Sequence, residues 1–265
     1  MPAQSLPLQS LSLTPTALQA APILAAAVDP KVPVEAAAAG GEKLTALLQG
    51  PDPLSRVKLA EVVPGVLHMQ FPSQRLMATT FVRFQEHYES PKYRGKVFTR
   101  AEFDAWYSSQ DRPGGVSYYK YWDGFNIPSR VLKRFQRGDF DPLDPKEQAL
   151  LRRLSASGDR FYVIATSGRD VNRRVLRHEV AHGLWYTRPD YRRRAQALLR
   201  SVNLKPVLKM LERLKYHPGV WLDEAHAWLG DEARDIRSEG VNPKPYAAVR
   251  KRLLALQKEY ASGLF

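Results

Sequence analysis

Apolar and polar positions alternate along this chain with changing periods, and each period predicts an element. Phe81, Phe84 and Tyr88 fall on one helical face within Phe81–Ser90. Thr99-Arg100-Ala101-Glu102 has the form of a capping box, in which the Thr and Glu side chains satisfy helix-terminal N–H groups, and it opens a helix through Trp106. Asp144-Pro145-Lys146-Glu147 repeats the device with Pro at the first helical position and opens a helix to about Leu154. Between them Val116 to Pro128 is dense in aromatics, which predicts a core-packed loop or strand pair; base stacking is the alternative. Arg160–Thr166 (RFYVIAT) is β-branched and aromatic, ends at Ser167-Gly168 and predicts a strand. Helices follow over about Asp170–Tyr186, Tyr191–Ser201, Pro206–Lys215, Val220–Leu229 and Tyr246–Tyr260. The expected fold is therefore α+β and mainly helical, with a small β-sheet preceding the helix that carries the histidines described below.

The first fifty residues follow none of these periods. They are rich in Ala, Pro, Leu, Ser and Gln, and prolines at 2, 7, 15, 22, 30 and 33 interrupt any long helix. Residues 1–50 are expected to be a disordered, low-complexity leader, 51–158 a helical, aromatic-rich part, and 159–265 a second part that carries the histidines described below. The apolar run Ala20–Val28 is too short to span a bilayer. No Lys or Arg stands near the start, as a secretory signal would want, which favours a cytoplasmic protein; the small residues Ala36–Gly40 would suit an atypical export signal.

Composition narrows the chemistry. The hydrophobic share of 44% is enough for a core, and no cysteine is present, so a metal here must be held by His, Asp or Glu. The net charge of +13 attracts anionic partners, and nine arginines against three acids lie between Arg169 and Arg200. Those arginines could solvate the surface, tune a site toward acidic substrates, or grip nucleic acid.

His178-Glu179-Val180-Ala181-His182 lies in the middle of that basic stretch. On a helix, residues four apart share a face, so His178 and His182 can present two imidazoles to one Zn2+. Glu179 is turned about 100° away, which suits a group that touches a water rather than the metal. Gly183 removes a side chain where another element could approach closely. A catalytic zinc needs a third protein ligand. Within Trp221–Leu229 the apolar arc is Trp221, Leu222, Ala225, Trp228 and Leu229; Glu224 and His226 flank it, and Asp223 points away. Glu224 is the chosen third ligand, because a carboxylate beside an apolar arc needs a cation, and His226 is its rival.

Strand, H-E-x-x-H helix and a Glu on a later helix together resemble the gluzincin class of metallopeptidases over roughly residues 160–230. The resemblance implies His178, His182 and Glu224 as metal ligands and Glu179 as general base. Asp223 stands where that class has Asn, and Trp228 stands where it often has an Asp behind a ligand histidine, so no residue is assigned behind the histidines. The segments FQEHYESP, GFNIP, RHEVAHGLWYTRPDYR and DEAHAWL are also similar to a group of small H-E-x-x-H proteins, which supplies no substrate. The expectation is a zinc-dependent hydrolase, a peptidase, with Tyr216 or His217 stabilising the oxyanion and the strand 160–166 pairing with an extended, acidic peptide substrate. The rival is a basic protein that binds nucleic acid or another anionic partner and carries a structural or vestigial metal site. Oligomeric state is not legible.

Overall fold

The computed structural model describes residues 52–90, 92–109, 118–121, 124–168, 173–214, 216, 218–230 and 233–264. The leader and His217 lie outside them. Four strands form one sheet in the order β1-β2-β4-β3: β1 (Lys58–Val63), β2 (Val66–Phe71), β3 (Gly124–Pro128) and β4 (Tyr162–Ser167). β2 and β4 are parallel, and the two outer pairs are antiparallel. Residues 58–71, for which the pattern predicts no strand, form a hairpin. Its turn is Pro64-Gly65, where Gly65 takes a φ of 82° that a side chain would oppose.

The other described elements are helices. Before β4 come α1 (Gln74–Glu89), α2 (Arg100–Ser109), the single turn α3 (Tyr118–Tyr121), α4 (Leu132–Gln136) and α5 (Pro145–Leu154). After it come α6 (Arg173–Thr187), α7 (Pro189–Arg200), α8 (Lys205–Arg213), α9 (Trp221–Gly230), α10 (Ala233–Ser238) and α11 (Ala247–Tyr260). The molecule is thus mixed α+β, mostly helical, with a small sheet. Both capping boxes form. Thr99 N–H donates to Glu102 Oε2 at 2.7 Å and Glu102 N–H to Thr99 Oγ1 at 3.2 Å. Asp144 Oδ1 accepts from Lys146 and Glu147 N–H, and Glu147 reaches back to Asp144 N–H at 2.9 Å.

Alternation along the strands sorts side chains into two cores. Leu67, Met69, Phe71, Phe125, Ile127, Val163 and Ala165 face one way and pack with α1, α2, α4 and α5. Val66, Tyr162 and Ile164 face the other way and pack with α6 to α11. Phe84, Phe135 and Phe140 stack in the first core, beside a buried Arg83–Glu147 ion pair whose guanidinium also donates to Phe140 O at 3.0 Å. Because β4 lies between β2 and β3, the stretches before and after residue 158 share one sheet.

The second face is not purely apolar. Asn126 and Ile164 are paired, as are Ile164 and His68, so a row running Asn126, Ile164, His68 crosses the sheet beneath α6. His68 Nε2 meets Thr166 Oγ1 at 2.8 Å, and burial lowers its pKa, which keeps the ring neutral. α6 lies close on this face at Gly183. A Cβ there would come within 2.8 Å of Val66 Cγ1, so only glycine permits the approach.

Candidate metal centre

α6 follows β4 and runs back over the sheet, burying Leu176, Val180, Ala181 and Leu184. That burial turns His178 and His182 toward α9, whose own apolar residues Ala225 and Leu229 enter the same core. The two helices pack against each other. One donor atom each from His178, His182 and Glu224 lies within 4.8 Å of the other two. The two imidazole Nε2 atoms are 3.3 Å apart, and His182 Nε2 is 3.9 Å from Glu224 Oε2. Ligands about 2.1 Å from a tetrahedral zinc would stand about 3.4 Å from one another, so this spacing suits such an ion with little adjustment. Glu224 Oε2 is buried without a hydrogen-bond partner, an arrangement that costs free energy unless a cation meets it.

Asp223 does not point away from the site, as the helical pattern predicts. Its Oδ1 accepts from His182 Nδ1 at 2.9 Å and stands 3.3 Å from His226 Nδ1. The early turn of α9 brings residue 223 across to α6 while residue 224 reaches the Nε2 side of the same ring. The carboxylate therefore fixes the tautomer that leaves His182 Nε2 free for a metal. His226 is buried, donates from Nδ1 to the Asp223 carbonyl at 2.5 Å and stacks on Trp185 with ring centroids 4.7 Å apart. It stands outside the His178, His182, Glu224 group because two residues of helix turn it toward α7, where Tyr191 meets its ring.

The charges fit this geometry. Burial opposes ionisation of His182, but Asp223 and Glu224 outweigh it and hold the imidazole pKa well above its usual range. Burial likewise opposes ionisation of Asp223, yet His182 and His226 bring its pKa down to about 2. Burial raises Glu224 to about 7, opposed by His182 and His178. In the metal-free protein the His182–Asp223 pair is ionic, and Glu224 is poised between its two states.

Glu179 meets partners that the motif does not announce. Asn126 Nδ2 donates to Glu179 Oε2 at 2.7 Å, and Tyr162 OH donates to Asn126 Oδ1 at 2.6 Å. The Asn126 N–H points away from β4 to Gln85 Oε1 at 3.3 Å, and Gln85 in turn donates to Glu89. Burial, reinforced by Glu86, Glu224 and Glu179, raises Glu89 to about 8. The sequence held one signal for Asn126: a polar residue between Phe125 and Ile127 in an otherwise apolar strand, whose buried amide must find partners. Tyr216 is half-buried, and burial together with Glu224 and Glu179 keeps its hydroxyl protonated.

Two expectations about substrate contacts change. β4 is hydrogen-bonded to β2 on one side and β3 on the other, so it has no free edge for an added peptide strand. Among the described residues, several arginines of 173–200 are engaged by local partners. Arg174 pairs with Asp235 and Arg194 with Glu259, while Arg188 donates to Pro64 O. Among the described residues no helix is long and apolar enough to cross a membrane. No protein-family model, curated protein or solved structure matches the chain.

Proposed function

We propose that the chain is a zinc-dependent hydrolase of the zincin type, acting on peptide bonds, with His178, His182 and Glu224 as ligands and Glu179 as general base. The observation that carries this reading is the convergence of three donors from α6 and α9, with Asp223 bonded behind His182. Two imidazoles and one carboxylate leave a fourth tetrahedral position for water. Zinc held there would supply Lewis acidity and make coordinated water acidic near neutral pH. Glu179 takes the water proton and later delivers it to the leaving amine. Asn126, itself held by Tyr162, fixes one Glu179 oxygen and so leaves the other to handle the proton. Asp223 keeps His182 in its ligating tautomer, and the neutral Tyr216 hydroxyl is the donor available to the developing oxyanion.

The test is metal analysis and proteolysis in parallel. The purified protein is expected to bind about one zinc per chain and to cleave an unstructured protein such as casein. Glu179→Gln is expected to keep the metal and lose cleavage. A protein that takes up no zinc, or a Glu179→Gln variant as active as the parent, would contradict the proposal.

A further inference from the structure

The far side of the Asp223 carboxylate borders a second feature, separate from the three ligands. A cavity of 380 Å3 lies between α7 and the start of α9, lined by Arg192, Arg193 and Gln196 on one wall and by Trp185, Leu222 and Asp223 on the other. We infer that this cavity is a binding site for a small oxyanion, a carboxylate or phosphate, carried on a compact apolar body.

Charge comes first. Arg192 and Arg193 are neighbours on α7, and neither is ion-paired among the described residues, unlike Arg174 and Arg194 in the same stretch. Gln196 stands one turn beyond Arg192 and adds an amide to the same wall. Guanidinium groups favour planar oxyanions, which accept paired N–H donors. The other side of the cavity includes Pro218, Gly219 and the first turn of α9 at Leu222 and Asp223. Asp223 is the one acid among the lining residues, and its Oδ1 is already engaged by His182 and His226. Two cations therefore face one lining carboxylate that is largely offset elsewhere, while Asp190, outside the lining, draws in part on Arg193.

Apolar character comes second. Leu222 is 43% exposed, one of few large hydrophobic side chains so placed among the described residues, and it lines the cavity together with Trp185. Trp185 cannot turn freely, because its indole is stacked on the buried His226 ring. The mouth thus offers a fixed aromatic surface and a leucine beside two guanidiniums. The volume lies within the range of small-ligand sites, about 300–1,000 Å3, which limits the occupant to a small molecule or one end or side chain of a peptide. The inference does not require a metal, since none of the lining residues is one of the three ligands.

The experiment is calorimetric titration of the full chain at low ionic strength, with and without chelator. The probes are inorganic phosphate, N-acetylphenylalanine and N-acetylphenylalanine amide. Saturable binding of phosphate or of the acid is expected, with the amide binding at least about tenfold more weakly than the acid. Preference for the acid over phosphate supports an oxyanion on an apolar body, and preference for bare phosphate overturns the apolar part of the inference. Arg192→Gln with Arg193→Gln should weaken anion binding about tenfold or more, since both guanidiniums would lose charge-assisted hydrogen bonds to the anion. Lys58→Gln with Lys133→Gln, on exposed parts of β1 and α4, should leave it within about twofold. Absence of saturable anion binding overturns the inference. So does equal loss in the two double variants, which would mean that net charge alone attracts the anion, and so does an amide that binds as well as the acid. Loss of casein cleavage or of zinc uptake would bear on the hydrolase proposal only.

Discussion

At the scale of single residues, the site depends on how carboxylates are partnered. Asp223 and Glu224 are consecutive, yet the imidazoles bring one down to about 2 while burial takes the other up to about 7. Outer partners of this kind typically contribute 10–100-fold in metal affinity. Asp223→Asn is therefore expected to weaken zinc binding by about that factor, read by competition with a chromogenic chelator; an unchanged affinity would detach Asp223 from the site. Glu89 gives a prediction of opposite sign. An unfolded glutamate titrates near 4.5, but in the folded chain burial carries Glu89 to about 8. Between those values the folded state binds more protons, so its stability falls as pH rises through the window. Glu89→Gln should raise the melting temperature relative to the parent more above pH 8 than below pH 4.5, and a pH-independent difference would argue against a retained proton. The shared helix face of the two histidines was legible from their spacing, and Glu224 as the acid that meets them. Asp223 was not, because a helical wheel shows which face a residue occupies and not which neighbouring helix meets that face.

At the scale of elements, local signals were legible wherever the chain satisfies its own ends. The capping boxes at Thr99 and Asp144 form with both reciprocal bonds, so the starts of α2 and α5 were readable. The β1–β2 hairpin was not read as strand, although Leu67, Met69 and Phe71 alternate with Val66, His68 and Gln70 behind a Pro64-Gly65 turn. His68 and Gln70 dilute the apolar signal on the face that meets α6. Gly183 shows how closely helix and strand are matched. Gly183→Ala sets a methyl 2.8 Å from Val66 Cγ1, and a β-branched side chain in a strand has little freedom to move away. The expected cost is about 1–3 kcal/mol of stability, measured by denaturant unfolding. Val66→Ala in the same chain should restore part of it, and no loss in Gly183→Ala would mean the two elements can separate cheaply.

At the scale of the molecule, the candidate ligands lie on two helices, α6 and α9, separated in sequence by α7 and α8. A metal that binds the folded chain alone should stabilise it by mass action, by about 2.7 kcal/mol when free metal is a hundredfold above the dissociation constant. Zinc is expected to raise the melting temperature of the parent and to raise it much less in Glu224→Ala; equal shifts would exclude Glu224 as a ligand. The class of fold and the place of the helix that carries His178 and His182 were legible. The layered arrangement was not, since it follows from pairings of distant strands that no local period encodes.

The central position of β4 orders events in time. Its neighbours β2 and β3 are synthesised well before it, and β2 pairs in parallel with a partner nearly a hundred residues later. Neither can find its place in the sheet until that partner has emerged, and such distant closures slow folding. The histidine helix comes directly after this last strand. A nascent chain therefore brings His178, His182 and Glu224 together only after every strand of the sheet beneath them has been made.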